Sequence, residues 1–370
     1  MEVTRSYTLR EYIRPLWEGD VVSHESVLFQ EDEHAAMLVY PADEILEVFS
    51  ADLATEYKEG VDYALRDGCL IRLPGSRMPF IPMDRFYPKE HRDGQDFGCI
   101  EPGHPYLGFG EGDSMIRYMV DVTYRHAAPW NGPIPPARTE KLSRFLGKLE
   151  RGEEATVLFY GDSITTGANS SGTVGVPPFA KPFPEMTAEA LAEKYGYTLS
   201  VDVRPYEELK PVEKRGGKVL HYVNTAVGGM DSRWGLENVG PRAAAYNPDL
   251  MVLAFGMNDG WRTREQFMEL TAGIVSAFRK DCPDCDIILL SSILPHWRAA
   301  GFFIHQIEYE EGLRMFAEKE EHIALAPMTS LHRHILGRKQ YYHASGNNIN
   351  HPSDFMARVY AMTLLATLGV

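Results

Sequence analysis

The sequence predicts an α/β protein preceded by an all-β part, and three observations carry that expectation. Beyond residue 138, short apolar runs alternate with amphipathic helical stretches, the pattern of a parallel sheet with helices on both faces. Before residue 127, strand-like runs follow one another closely with no convincing long helix between them, as in a β-sandwich or jelly roll. Pro129, Pro133, Pro135 and Pro136 separate the two textures. The expected division is a β-sandwich domain over 1–126, a proline-rich linker over 127–138 and an α/β domain over 139–370.

In the first part, residues 36–40, 45–49, 69–73 and 115–124 form apolar or alternating runs bounded by Gly, Pro and Asp, the punctuation of short strands. The segment 75–82 and the Tyr- and Pro-rich stretch up to Tyr106 read as loops. In the second part, strands are expected at 157–160, 199–203, 220–224, 250–255, 287–291 and 323–326. Helices are expected at about 184–195, 266–280, 306–319 and 352–368. No internal repeat or low-complexity tract is evident.

Composition excludes some functions. A net charge of −15 disfavours nucleic acid and anionic membranes, which reward basic patches. The first twelve residues lack the apolar core of a secretory signal, and no run of eighteen apolar residues exists, so a cytoplasmic protein is expected. Four cysteines are too few for a disulfide scaffold. Cys282 and Cys285 have C-x-x-C spacing but no second pair, and read as reduced thiols rather than a zinc or redox site.

Chemistry concentrates where strands end. The run 156–160 stops at Gly161, and the turn Gly161-Asp162-Ser163 lifts a hydroxyl to the carboxyl end of a strand, where open α/β sheets bind ligands. A serine opening a helix also brings a backbone N–H that can face developing negative charge. Gly-Asp-Ser is a common turn, however, and a second copy stands at Gly112-Asp113-Ser114, ahead of the alternating run 115–124. Three further blocks follow other strands of the second part. Asn224 leads to the pair Gly228-Gly229, Gly256 leads to Asn258-Asp259, and 347–354 carries Asn348, His351, Pro352 and Asp354. Paired glycines admit a substrate close to the backbone, a carboxamide can donate to an oxyanion, and a histidine is a general base near neutral pH.

The four blocks in this order resemble the SGNH (GDSL) hydrolase family over residues 153–370. The resemblance implies a flavodoxin-like α/β/α sandwich on a five-stranded parallel sheet, and ester hydrolysis through an acyl-serine. It makes Ser163 the nucleophile and His351 the base, with the Ser163 N–H, the Gly229 N–H and the Asn258 side chain as oxyanion donors. Gly229 is preferred to Gly228 because the family's glycine usually sits five residues after the block's asparagine, here Asn224. Asp162 and Asp259 are expected to support the turns. One departure concerns the residue behind the histidine: the family has Asp-x-x-His, and here the equivalent position is Asn348. A Ser-His dyad with a backbone carbonyl behind the ring is the favoured reading, with Asn348 and Asp354 as the other candidate orienters. No metal or cofactor is required.

A β-sandwich ahead of such a domain resembles several sugar-deacetylating esterases, so the expected substrate is a small acyl ester, in particular an acetylated oligosaccharide. Gly228, Trp261, His296 and Trp297 are candidate pocket residues, and Tyr341-Tyr342 candidate stacking partners. His332, His334 and His343 are placed in a rim loop without metal-site spacing. Two rival readings are an acyltransferase using a sugar or natural-product hydroxyl as acceptor, and a carbohydrate-binding protein with a degenerate esterase domain. A homo-oligomer is compatible with the sequence, which does not determine oligomeric state.

Overall fold

The computed structural model describes residues 8–370; residues 1–7, part of the N-terminus read above as leaderless, lie outside them. The α/β half is built on six parallel strands: β9 (Ala155–Gly161), β10 (Thr198–Val203), β11 (Val219–Asn224), β12 (Leu250–Ala254), β13 (Asp286–Leu290) and β14 (Ile323–Ala326). Their order in the sheet is β10-β11-β9-β12-β13-β14. The six runs expected from sequence are these strands. The sheet is one strand wider than the resemblance implied, because β10 pairs in parallel with the outer side of β11. The chain leaves β9 toward one edge and returns to β12 on its other side. The carboxyl ends of β11, β9 and β12 therefore form the topological switch point, where open α/β sheets leave a crevice.

The helices Phe183–Tyr195, Arg264–Asp281 and Gln306–Lys319 match the periodic stretches. The last helix runs Asp354–Leu368, two residues later than expected. Its N-cap is Ser353, whose side chain accepts the Met356 N–H, so Pro352 precedes the cap instead of opening the first turn. Helices Ser143–Arg151, Ser232–Arg242 and Met328–Leu336 were not anticipated. The last holds His332 and His334, placed by sequence in a rim loop.

The N-terminal part has eight short strands among the described residues: β1 (Val21–Leu28), β2 (Ala35–Met37), β3 (Glu44–Ser50), β4 (Tyr63–Arg66), β5 (Cys69–Arg72), β6 (Asp96–Gly98), β7 (Tyr106–Gly108) and β8 (Met119–Arg125). They form three small antiparallel sheets, β1-β8-β3, β2-β5-β4 and β6-β7. The run expected as a strand from 115 begins as a 3₁₀ turn, Ile116–Tyr118, before β8.

One apolar cluster joins both parts. It runs from Val27, Val120 and Tyr124 of the β sheets to Leu146, Val157, Phe355 and Tyr360 of the α/β half. Two buried charges bridge the same seam. Arg358 donates to the carbonyls of Tyr12 and Ser23, each at 2.9 Å, with its guanidinium 4.1 Å from the Tyr12 ring centre. Lys339 pairs with Glu25, both wholly buried, and Glu25 also accepts from Tyr124 Oη at 2.7 Å and the Val39 N–H at 3.0 Å. A charge removed from water is tolerable only when paired and hydrogen-bonded in this way. The four cysteines are free thiols. No helix among the described residues is long and apolar enough to cross a membrane.

Candidate active site

Ser163 sits at the switch point because β9 ends in a residue without a side chain. A Cβ on Gly161 would lie 2.4 Å from the Ala254 carbonyl oxygen of β12, so only glycine lets the two strand ends close up. Asp162 then caps the one-turn helix Ser163–Thr166, its carboxylate accepting the Ile164 N–H at 3.0 Å. Burial pushes the Asp162 carboxyl up to about 7, although the N–H groups of Ile164 and Met257 favour its charged form. Asp162 thus caps the turn that carries Ser163. Ser163 is 8 % exposed, and its N–H at the helix start has no acceptor among the described residues.

His351 is presented by a loop folded around Asn347, whose carboxamide oxygen accepts the N–H groups of Ile349, Asn350 and His351, each at 3.0 Å. The imidazole Nε2 stands 2.9 Å from Ser163 Oγ. On the opposite edge, Nδ1 lies 2.6 Å from Asn169 Oδ1 and 3.4 Å from Glu111 Oε2. Asn169 Nδ2 donates to the Gly112 carbonyl at 3.0 Å, which turns its oxygen toward the ring. Nδ1 must then be the protonated nitrogen, leaving Nε2 free to take the serine proton.

The residues expected behind the histidine lie elsewhere. Asn348, left-handed at φ 70°, donates through Nδ2 to the Gly108 carbonyl at 2.9 Å, and its buried carboxamide oxygen has no hydrogen-bond partner among the described residues. Asp354 accepts the Ser171 N–H at 2.9 Å, and burial lifts its carboxyl to about 6 against that bond. The Nδ1 edge faces side-chain oxygens, not a backbone carbonyl. Sequence reasoning missed both of them. Asn169 carries no local signal, and Glu111 belongs to the second Gly-Asp-Ser loop, which reads as an ordinary turn.

The glycine and asparagine blocks border the serine. Asn224 ties the glycine block to the serine turn, donating to the Thr165 carbonyl at 2.8 Å and accepting the Ala226 N–H at 3.1 Å. A Cβ on Gly228 would lie 3.8 Å from Ser163 Cβ and 3.0 Å from Tyr206 Oη, so Gly228 faces the nucleophile. Gly229 supplies the positive φ of 77° that turns the chain. Neither glycine N–H has an acceptor among the described residues. Asn258 Nδ2 donates to the Met230 carbonyl at 3.0 Å, beside this loop. Asp259 braces both blocks, accepting from Ser232 Oγ at 2.6 Å, the Ser232 N–H at 3.1 Å and Arg262 at 2.8 Å.

Trp261 and Trp297 are 64 % and 48 % exposed, yet each is backed by an arginine. The Arg262 guanidinium lies 4.0 Å from the Trp261 ring centre and is held by Asp231 and Asp259. The Arg298 guanidinium lies 4.5 Å from that of Trp297 and is held by Glu101 and Tyr87. His296 is buried, with its N–H on the Ile349 carbonyl at 2.7 Å and its Nδ1 accepting the Arg298 N–H at 3.1 Å. Burial, then the Arg298 charge, pulls its pKa down to about 3, so it is a neutral strut behind the histidine loop. Tyr341 and Tyr342 are also buried, bonded to Ile349 and Glu33, and are not free to stack on a ligand. Tyr206, not singled out in the sequence, is 74 % exposed and reaches Thr166 Oγ1 at 3.2 Å.

A family model described as the GDSL-like lipase/acylhydrolase family matches residues 159–359, more than half of the 370-residue chain. No curated protein matches the sequence. Among solved structures, a two-domain esterase active on acetylated mannans aligns at 16 % identity and TM-score 0.46, over 65 % of this chain and 55 % of its own. The match thus spans about half of that esterase's length. A catalytic mutant of the acetylxylan esterase Axe2 from Geobacillus stearothermophilus aligns at 15 % identity and TM-score 0.44, over 58 % of this chain and 94 % of its own. LAE5, an α/β hydrolase from the metagenome of Lake Arreo, aligns at 17 % identity and TM-score 0.43, over 58 % of this chain and 95 % of its own.

Proposed function

The chain belongs to the GDSL-like lipase/acylhydrolase family, and from that premise we propose that it is a serine esterase acting through an acyl-serine intermediate, with small acetylated saccharides as substrates. The observation that carries this reading is the 2.9 Å contact between Ser163 Oγ and His351 Nε2, with the far side of the ring held at Nδ1. As Oγ attacks the ester carbonyl carbon, its proton passes to Nε2 and the carbonyl π electrons move onto oxygen. The N–H groups of Ser163 and of the Gly228-Gly229 turn, with the Asn258 carboxamide, are the proposed donors to that oxyanion. Losing one such donor typically costs about a hundredfold or more in rate. Collapse of the intermediate expels the alcohol, which takes the proton from Nε2. Water, deprotonated by the same nitrogen, then releases acetate and restores the serine.

Exposed indoles held rigid by carboxylate-bound arginines support a sugar as the leaving group, since flat apolar faces stack on pyranose rings at little cost in ordering. The exposure of this rim favours water over an acyl acceptor held in a dry pocket. The intact serine–histidine contact speaks against a degenerate binding domain.

The test is acetate release from acetylated xylo- and manno-oligosaccharides and from p-nitrophenyl acetate. Ser163→Ala is expected to remove both activities, whereas Trp297→Ala should raise KM several-fold for the oligosaccharides and little for the nitrophenyl ester. Equal activity of the wild type and Ser163→Ala would sink the mechanism. Ready cleavage of simple esters with no acetate from any sugar would sink the substrate.

A further inference from the structure

We propose that Glu111, carried by the N-terminal β-rich part, is the positioning carboxylate for His351, so that the site is completed by a segment outside the α/β half. This inference rests on the esterase reading given above. Glu111 Oε2 lies 3.4 Å from Nδ1, and Oε1 lies 3.4 Å from Asn347 Nδ2. The carrying loop is fastened to the histidine loop and to Asn169. The Gly110 N–H meets the Asn347 carbonyl at 3.3 Å, Asn348 Nδ2 meets the Gly108 carbonyl at 2.9 Å, and Asn169 Nδ2 meets the Gly112 carbonyl at 3.0 Å. A Cβ on Gly110 would stand 1.8 Å from Ser114 Oγ and 2.8 Å from Ser114 Cβ, so a side chain there would have to displace Ser114.

Two partners at Nδ1 divide the work of one aspartate. Asn169 fixes ring orientation and tautomer but has no charge to offer the imidazolium that forms as Ser163 attacks. Glu111 supplies the charge. It is 54 % exposed; burial pushes its carboxyl up, and the bonds to His351 and Asn347 more than offset this, leaving it below its ordinary value. Other carboxylates nearby are engaged elsewhere: Asp354 with Ser171, Asp113 with Arg117, Asp162 with Ile164, and Asp259 with Ser232 and Arg262. The position where the family carries an acid is Asn348, whose side chain is spent on pinning this loop.

The experiment compares full-length wild type with Glu111→Gln and Glu111→Asp, following p-nitrophenyl acetate turnover from pH 5 to 9 and the His351 imidazole by NMR titration. Glu111→Gln should lower kcat about tenfold with KM nearly constant, because charge is lost while Asn169 still sets the tautomer. Removing a carboxylate destabilises the imidazolium, so the His351 midpoint and the acidic limb of kcat/KM should both move down, by roughly half a unit or more at this exposed site. Glu111→Asp should recover part of both effects, and all three proteins should unfold at the same temperature. Unchanged kcat together with an unmoved His351 midpoint in Glu111→Gln overturns the proposal. Should the wild type hydrolyse no ester, the proposed function fails, and the NMR titration decides on Glu111 alone.

Discussion

Gly161→Ala tests whether the close approach of β9 and β12 sets the geometry of the nucleophile. The new Cβ would lie 2.4 Å from the Ala254 carbonyl oxygen and 2.5 Å from Thr165 Oγ1. Turning Thr165 away breaks no bond, since its hydroxyl has no hydrogen-bond partner among the described residues. The carbonyl cannot turn away, because it belongs to a strand paired on both sides, with β9 and with β13. Relief therefore requires the strand ends to part by roughly half an ångström or more, the usual response to overpacking, at about 1–3 kcal/mol. That movement stretches the bond from the Asp162 N–H to the Ala254 carbonyl, already 3.4 Å, and carries Ser163 away from the Asn258 block. Misplacement of this size between nucleophile and oxyanion donors should lower kcat by roughly 10- to 100-fold. The assay is stopped-flow acylation with p-nitrophenyl acetate beside a thermal melt, with Tm expected to fall by roughly 2–6 °C. Acylation within twofold of wild type would refute the argument, whatever the melt shows.

Two further substitutions probe the supports. Asp354→Asn should keep kcat within about twofold, since residue 354 contacts Ser171 and not the imidazole, and an amide oxygen can still accept that N–H. The wild-type carboxyl, lifted to about 6 in the folded state, binds its proton more tightly there than unfolded, so it destabilises the fold progressively from about pH 4 to 6. The variant's unfolding free energy should therefore match wild type near pH 4 and exceed it above pH 6, by an amount on the order of 1–3 kcal/mol; a constant difference across pH would contradict this. Glu25→Gln strands the wholly buried Lys339 charge and should cost about 3–5 kcal/mol in urea unfolding, while a loss under 1 kcal/mol would mean that the pair does not brace the seam between the two parts.

What the sequence made legible follows from how local each signal is. Strand runs, helix periodicity and the blocks around Ser163, Asn258 and His351 are contiguous stretches; the first two blocks sit directly at strand ends, while the His351 block opens the last helix, after helix Met328–Leu336 has followed the last strand. Gly161 and Asp162 do their work within a few residues of Ser163, or one strand away. Glu111 and Asn169 lie 240 and 182 residues from His351 in the chain and meet it only through tertiary docking. Nothing local marks Asn169, and the turn chemistry around Glu111 reads as an ordinary loop. Asn348 was the misleading position, because spacing alone puts it behind the histidine. The left-handed backbone there turns its side chain to Gly108, so a residue that looks like a lost catalytic acid is a fastener for the loop that brings another acid in. The same logic explains why the β-rich part looked separable. Its strands have ordinary local patterns, whereas the features binding it to the rest are single buried groups at Glu25, Lys339 and Arg358, and a charged residue in a sequence does not announce that it will be buried. If Glu111 acts as proposed, the seam that Arg358 and Lys339 hold shut is also what keeps the carboxylate against the imidazole, so loosening the seam should weaken catalysis as well as the fold.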